Sequence, residues 1–548
     1  MKTFHSAILF VAALASGCGG GGGDGSGTPV NVTPMLPQTV VFRANEGSVI
    51  GLWAAVDDGS DLYRLDPDFE LIANTPLVFD FKISPDKAWV AFRTQDVSMG
   101  NGIRLWVTSM QGGTPVEIIT FANVNTRIKE YSWSPSSDAL VYTADQDNLG
   151  IDEVFLAKPD GTGISKISQP VTAPDNREAR RPQWSPDGRY VVFAIVDTIN
   201  IVPRTLSVDV HDRQNPAPAA RPVTIPASQP SAFALGITWA PDSSHVAYIF
   251  NPVDSVTHLW VALPDGSPPT IVNPTPTGGG NGVREFEWSP DSSTLAYISR
   301  QRNSSNPEVY VVGADGSNPT IQHTPFSNSA AWGASEVKWS PDGAHLAYLS
   351  DHGLAGAYQL YVVANLTDNL DAAVLLFNSS GAVRKWEWLP DSSGIIYGGL
   401  VFGSLDRLYK KETLTPHSPA FPPMPEEFLS PAPGGYGDVG DFVIAPDGQG
   451  VIYLHLRTFT NTLELFANNT SGGTSTMFQF TSGPNRTVDS YQWSPNNDRV
   501  TYATVRRDMG GNVTSVNVWA ADPDGSNLYL LSASMNGVLS GGKAFASY

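Results

Sequence analysis

The chain has 548 residues, 41% of them apolar, and carries 33 Lys plus Arg against 53 Asp plus Glu, a formal charge of −20. That composition supports a folded body with an extensive core, and an acidic balance without a basic stripe argues against DNA or RNA as partners. The single cysteine, Cys18, excludes a disulfide within the chain and any thiol-based metal cluster.

Met1-Lys2 followed by the apolar run Ile8–Leu14 has the charged start and short apolar core of a secretory signal, assigned to residues 1–17. The run falls short of the ~20 residues that a membrane-spanning helix needs. It ends in Leu14-Ala15-Ser16-Gly17-Cys18, which resembles the bacterial lipoprotein lipobox, with Ala15 where Leu is usual. The resemblance implies cleavage before Cys18, lipidation of Cys18 and attachment to the bacterial envelope; Gly19 directly after it implies retention at the outer membrane. Anionic lipid would repel the acidic body, so the acyl chains are expected to hold the protein at the membrane. Residues 18–38, with the run Gly19–Gly23, read as a flexible tether.

Residues 39–548 are organised by one repeat. It reads Trp288-Ser289-Pro290-Asp291, then Leu295-Ala296-Tyr297, with counterparts at Ile83, Trp133, Trp184, Trp239, Trp339, Trp388, Ile444 and Trp493. Successive prolines lie 50, 51, 55, 49, 51, 49, 56 and 49 residues apart, a period that marks stacked supersecondary units. In each unit an alternating strand such as Arg284–Trp288 runs into a Ser-Pro-Asp turn. Pro presets φ there, and Asp with Gly or Ser supplies the remaining turn conformations. A β-branched and aromatic second strand follows. A third strand (His258–Ala262, Val309–Val312) closes in Pro-Asp-Gly or Ala-Asp-Gly, and a short fourth strand such as Ile164–Ile167 completes the unit. Four antiparallel strands at this period predict an all-β propeller, whose blades bury their faces on one another. The large residues beside the turns, Trp184, Trp288, Trp339 and Trp388, are expected to pack between blades.

The Trp-Ser-Pro-Asp-Gly…Leu-Ala-Tyr pattern resembles the WD-like repeat of TolB and of dipeptidyl-peptidase-type propellers. The resemblance implies the fold and is nearly silent on function. TolB carries a further domain before its propeller, whereas only residues 19–38 separate Cys18 from the first strand here.

At the start of the repeats, Thr39–Ala44 reads as a second strand, Leu62–Leu65 as a third and Leu71–Ala73 as a fourth, so that unit lacks its first strand. Lys543–Tyr548 is left over at the other end and is expected to supply it. Nine full units and one composite unit give a single ring of about nine or ten blades, closed by pairing of the N- and C-terminal strands. Two Pro-rich insertions interrupt the period, Asn215–Ser231 and Thr413–Asp438. Phe421, Met424 and Phe428 in the second are candidates for a partner-binding surface.

No Gly-x-Ser-x-Gly elbow and no His-Glu-x-x-His motif occurs. The Asp-rich turns lack the ligand spacing of a calcium loop, and the histidines are scattered, with His245 and His345 at one and the same repeat position. The expectation is therefore a lipoprotein that is not an enzyme and takes no cofactor or metal. Its propeller is read as a scaffold that docks an envelope protein or peptide. The alternative is a propeller that binds or degrades carbohydrate through a discontinuous site at the ring mouth.

Overall fold

The computed structural model describes residues 38–46, 49–66, 77–95, 102–119, 125–169, 177–197, 204–216, 221–223, 235–251, 256–274, 282–301, 306–317, 321–322, 333–351, 356–363, 373–375, 382–400, 406–411, 427–430, 436–457, 462–472, 475–478, 486–508, 513–532 and 546–547. These form ten four-stranded antiparallel sheets, with no helix among them. Nine sheets follow the chain strand by strand, each opening on a leading strand that runs into a Ser-Pro-Asp-type turn. The leading strands are Leu77–Ile83, Ile128–Trp133, Arg177–Trp184, Leu235–Trp239, Val283–Trp288, Ala334–Trp339, Val383–Trp388, Tyr436–Ile444 and Arg486–Trp493, in the second to the tenth sheet.

The first sheet is assembled from both ends of the described chain. Thr39–Glu46 pairs with Val49–Val56 on one side and with Ala546–Ser547 on the other, in the register Val41↔Ser547 and Phe42↔Ala546. The leading strand comes from the C-terminal segment, as its leftover sequence suggested. The other assignments in this sheet are corrected. Val49–Val56 is its third strand and Leu62–Arg64 its fourth, while 71–73 lies outside the described residues. No proline stands between Glu46 and Val49 to announce this strand of eight residues in the sequence.

Apolar alternation on both faces of each sheet feeds ten core clusters among the described residues, each shared by two sheets. Nine of them join consecutive sheets. The tenth joins Val518, Ala520 and Leu531 of the last sheet to Val40, Phe42 and Ala55 of the first. Within sheets, the second-strand tyrosine stacks on its third-strand partner at 5.2 Å (Tyr297–Tyr310), 5.3 Å (Tyr397–Tyr409) and 5.4 Å (Tyr348–Tyr361).

Each leading-strand tryptophan bridges to the sheet before it. The indole N–H of Trp133 donates to Lys82 O at 3.0 Å, that of Trp184 to Ser132 O at 3.2 Å, and that of Trp493 to Val443 O at 3.1 Å. Trp288, Trp339 and Trp388 are buried, while Trp184 is half-buried beneath the Arg213 guanidinium, 5.1 Å from its ring centroid. The histidines at the shared position behave alike: His245 and His345 each tilt against the tryptophan of the next sheet at 6.3 Å.

The turn after the tryptophan needs one residue in the left-handed region. Glycine fills it at Gly188, Gly343 and Gly448, and serine does so at Ser243 (φ 67°), Ser292 (φ 64°) and Ser392 (φ 62°). Where serine stands, its hydroxyl accepts the main-chain N–H of the Asp in the preceding turn, at 3.0 Å for Ser243 with Asp187 and for Ser292 with Asp242. That bond joins neighbouring sheets and offsets the strained backbone.

Candidate site on the leading strands

The leading strand lies at the edge of every sheet, so alternate N–H and C=O groups have no ladder partner. Charged side chains from the preceding leading strand satisfy several of them. Lys82 Nζ donates to Tyr131 O at 2.7 Å, and Arg181 N donates to Glu130 Oε2 at 2.7 Å. Trp339 N donates to Glu287 Oε2 at 2.9 Å, Lys338 Nζ to Trp386 O at 3.2 Å, and Lys385 Nζ to Phe442 O at 2.7 Å. The edge row is thus a belt of charged side chains that crosses from sheet to sheet.

Two zones of this belt differ in character. Around the sixth to eighth sheets Glu285, Glu287 and Glu336 gather beside Lys338, whose Nζ lies 3.0 Å from Glu336 Oε1 and 3.3 Å from Glu387 Oε2. Burial pushes the Glu285 carboxyl up to about 7, aided by the charge of Glu336. Burial likewise pushes Glu287 up to about 8 against the opposing pull of the Trp339 N–H and Lys338. Lys338 itself is held above its ordinary value by Glu387 and Glu336, which outweigh its burial.

The second to fourth sheets enclose a cleft of about 400 Å³. Its walls include Asp80, Lys82, Arg93, Lys129, Glu130 and Arg181, four cations against two carboxylates in a chain of opposite net charge. One wall is rigid. Arg93 binds Asp80 through two nitrogens, with Nε 3.0 Å from Oδ1, and also donates to the carbonyls of Ile128 and Lys129. Tyr131 donates its hydroxyl to Asp80 Oδ1 at 3.1 Å, and its ring lies 5.0 Å from Lys82 Nζ and 5.4 Å from the Arg93 guanidinium. Burial holds the Tyr131 hydroxyl well above its usual value, with the Asp80 charge adding to the effect. Burial also lowers the Lys82 ammonium. Lys129 donates to the buried Asp152 at 2.6 Å.

The opposite wall is a bulge. The ladder slips between Arg180 and Gln183, and Arg181 takes φ 57°, an unusual conformation for a residue with a side chain. The fifth sheet has a matching slip between Leu235 and Thr238, and there glycine, Gly236, carries φ 60°.

The residues singled out from sequence do not meet in this site. Cys18, Phe421 and Met424 lie outside the described residues. Phe428 belongs to the short strand Glu427–Phe428, paired at Tyr409↔Phe428, so the end of that insertion is the fourth strand of the eighth sheet rather than free loop. The cleft residues were missed. Their signal was Pro182 inside a strand pattern, which marks a bulge. Among the described residues no group of three His, Cys, Asp or Glu side chains is placed to hold a metal ion, and no helix is long and apolar enough to cross a membrane.

No family model and no curated protein matches the chain. Solved structures do. A eukaryotic initiation factor aligns over 81% of this chain and 96% of its own, at 12% identity and TM-score 0.46. A prolyl endopeptidase aligns over 72% of this chain and 54% of its own, at 14% identity and TM-score 0.36. An oligogalacturonate lyase in complex with manganese aligns over 68% and 97%, at 15% identity and TM-score 0.35. Two of these three are enzymes, and the expectation that this chain is not an enzyme is withdrawn. The short motifs it rested on test only for sites contiguous in sequence, whereas a site built from several sheets draws its residues from distant repeats.

Proposed function

We propose that the ten sheets are the blades of one TolB-like propeller, tethered to the bacterial outer membrane through lipid on Cys18, and that it binds an envelope protein or peptide on its leading strands. The ring is supported by the core cluster joining the last sheet to the first and by the pairing of Ala546–Ser547 with Val41–Phe42. The observation that carries the binding reading is the cleft of about 400 Å³ between three leading strands, lined by side chains of both charges. A photo-crosslinking residue at the exposed Gln183, set in intact cells against one at the exposed Met477 of the ninth sheet, tests it. One envelope protein trapped from position 183 alone supports docking there; identical patterns from positions 183 and 477 reject it. The tether has its own test. Cys18→Ser should release the protein from membranes, and continued dependence on detergent would count against lipidation.

The carbohydrate reading has one observation in its favour. Glu285 and Glu287, raised to about 7 and about 8, are carboxyls that exchange protons near neutral pH, as general acid–base work requires. A glycan cleavage screen with wild type and Glu287→Gln decides it: activity lost in the variant favours this reading, and no activity in either removes it.

A further inference from the structure

We propose that the cleft between the second, third and fourth sheets seats one carboxylate of an acidic peptide side chain on Arg181. The inference rests on the docking reading above and names the chemistry of the docked segment. Of the four cations in the cleft, three are engaged: Arg93 with Asp80, Lys129 with Asp152, and Lys82 with the Tyr131 carbonyl. Arg181 is exposed, and its guanidinium has no acceptor among the described residues. Its backbone, by contrast, is held, because the N–H is pinned by Glu130 Oε2 at 2.7 Å and Pro182 follows directly.

The cost of this arrangement points to its use. At the third position before the tryptophan the fifth sheet spends a glycine, Gly236, on the left-handed conformation, whereas the fourth sheet holds an arginine there at φ 57°. Lys87 shows that a left-handed φ alone assigns no role; Arg181 joins that strain to an exposed position on the cleft wall, and the conjunction points to a required side chain. Guanidinium presents a planar donor fork that matches a carboxylate. One unengaged donor fork sets the ligand's charge, since the other three cations already have partners. A polyuronate carries a negative group on every ring and finds no second unengaged cation in the cleft, while a peptide with a single acidic residue needs only one.

The test uses the full chain and a fluorescein-labelled nonapeptide of Gly and Ser with one central Glu, its Gln counterpart, and unlabelled trigalacturonate as competitor. The Glu peptide should bind roughly tenfold or more tighter than the Gln peptide, the difference expected of a charge-assisted pair. Arg181→Gly should abolish that difference while its Tm stays equal to wild type or rises, because glycine suits the backbone there. Lys158→Ala, an exposed lysine outside the cleft, should change neither. Equal binding of the two peptides, or full preference retained in Arg181→Gly, overturns the proposal. Displacement by trigalacturonate with no peptide preference overturns the peptide assignment in favour of a glycan. If the peptides fail while crosslinking at position 183 still traps a protein, the carboxylate chemistry is wrong and the docking reading stands.

Discussion

A serine hydroxyl organises six of the nine recurring turns, Ala240, Leu389 and Ala445 standing in its place in the others. In Ser340-Pro341-Asp342 it donates to Asp342 Oδ1 at 2.6 Å and accepts the His345 N–H at 2.9 Å. Ser340→Ala leaves that half-buried N–H without its hydroxyl partner, and we expect a loss of about 1 kcal/mol in urea denaturation. The left-handed residue three places after the serine separates strain from compensation. Lys87 holds φ 60°, and the preceding sheet has no equivalent turn to offer it a cross-sheet bond, so Lys87→Gly should stabilise by about 1 kcal/mol. Ser292→Gly relieves similar strain but forfeits the bond to the Asp242 N–H, so no gain is expected there. A matched rise in Tm for both variants would refute this distinction. Residues of this class were legible beforehand: the Ser-Pro-Asp grammar and the tryptophans each have one local role repeated many times. Arg181 was legible only as part of a bulge, through Pro182; the acceptor of its N–H, Glu130, lies about fifty residues earlier, and no pattern within a repeat reveals that contact.

The leading strands are edges, and their charged side chains do the work of a missing neighbour strand. Glu130→Ala removes the acceptor of the Arg181 N–H and should cost about 0.5–1 kcal/mol, because water can reach this exposed group, whereas Glu130→Gln keeps an acceptor oxygen and should cost less. The carboxyls of the sixth sheet give this belt a pH dependence. Burial raises Glu285 and Glu287 above the ordinary glutamate value, so the folded protein holds protons that the unfolded chain gives up. Their contribution is full below the unfolded value and is lost as pH rises toward about 7 and about 8. Glu287→Gln should therefore flatten the decline in denaturation midpoint between pH 5 and 8.5; a slope as steep as wild type would refute the assignment. Sequence displayed the alternation of these strands and their charges. It did not display which main-chain groups the charges reach, since every such contact crosses from one repeat to the next.

For the molecule as a whole, the decisive contact is made by a strand of only two residues. Ala546–Ser547 contributes two residue pairs to a sheet whose other three strands lie near the opposite end of the chain. Deleting residues 543–548 bares the edge of Thr39–Glu46, and we expect a lower Tm and a lower urea midpoint; unchanged values would reject the proposed closure. The composite sheet was readable from sequence because one unit lacked a leading strand and one segment was left over. The strand Val49–Val56 went unread because its turn lacks the proline that announces the others. This construction also sets a timetable. The first sheet obtains its leading strand only once residues 546–547 have been made, long after Thr39–Glu46. A nascent chain stalled between the two therefore carries an open strand edge at Thr39–Glu46, the feature that chaperones and proteases recognise in unfinished β proteins.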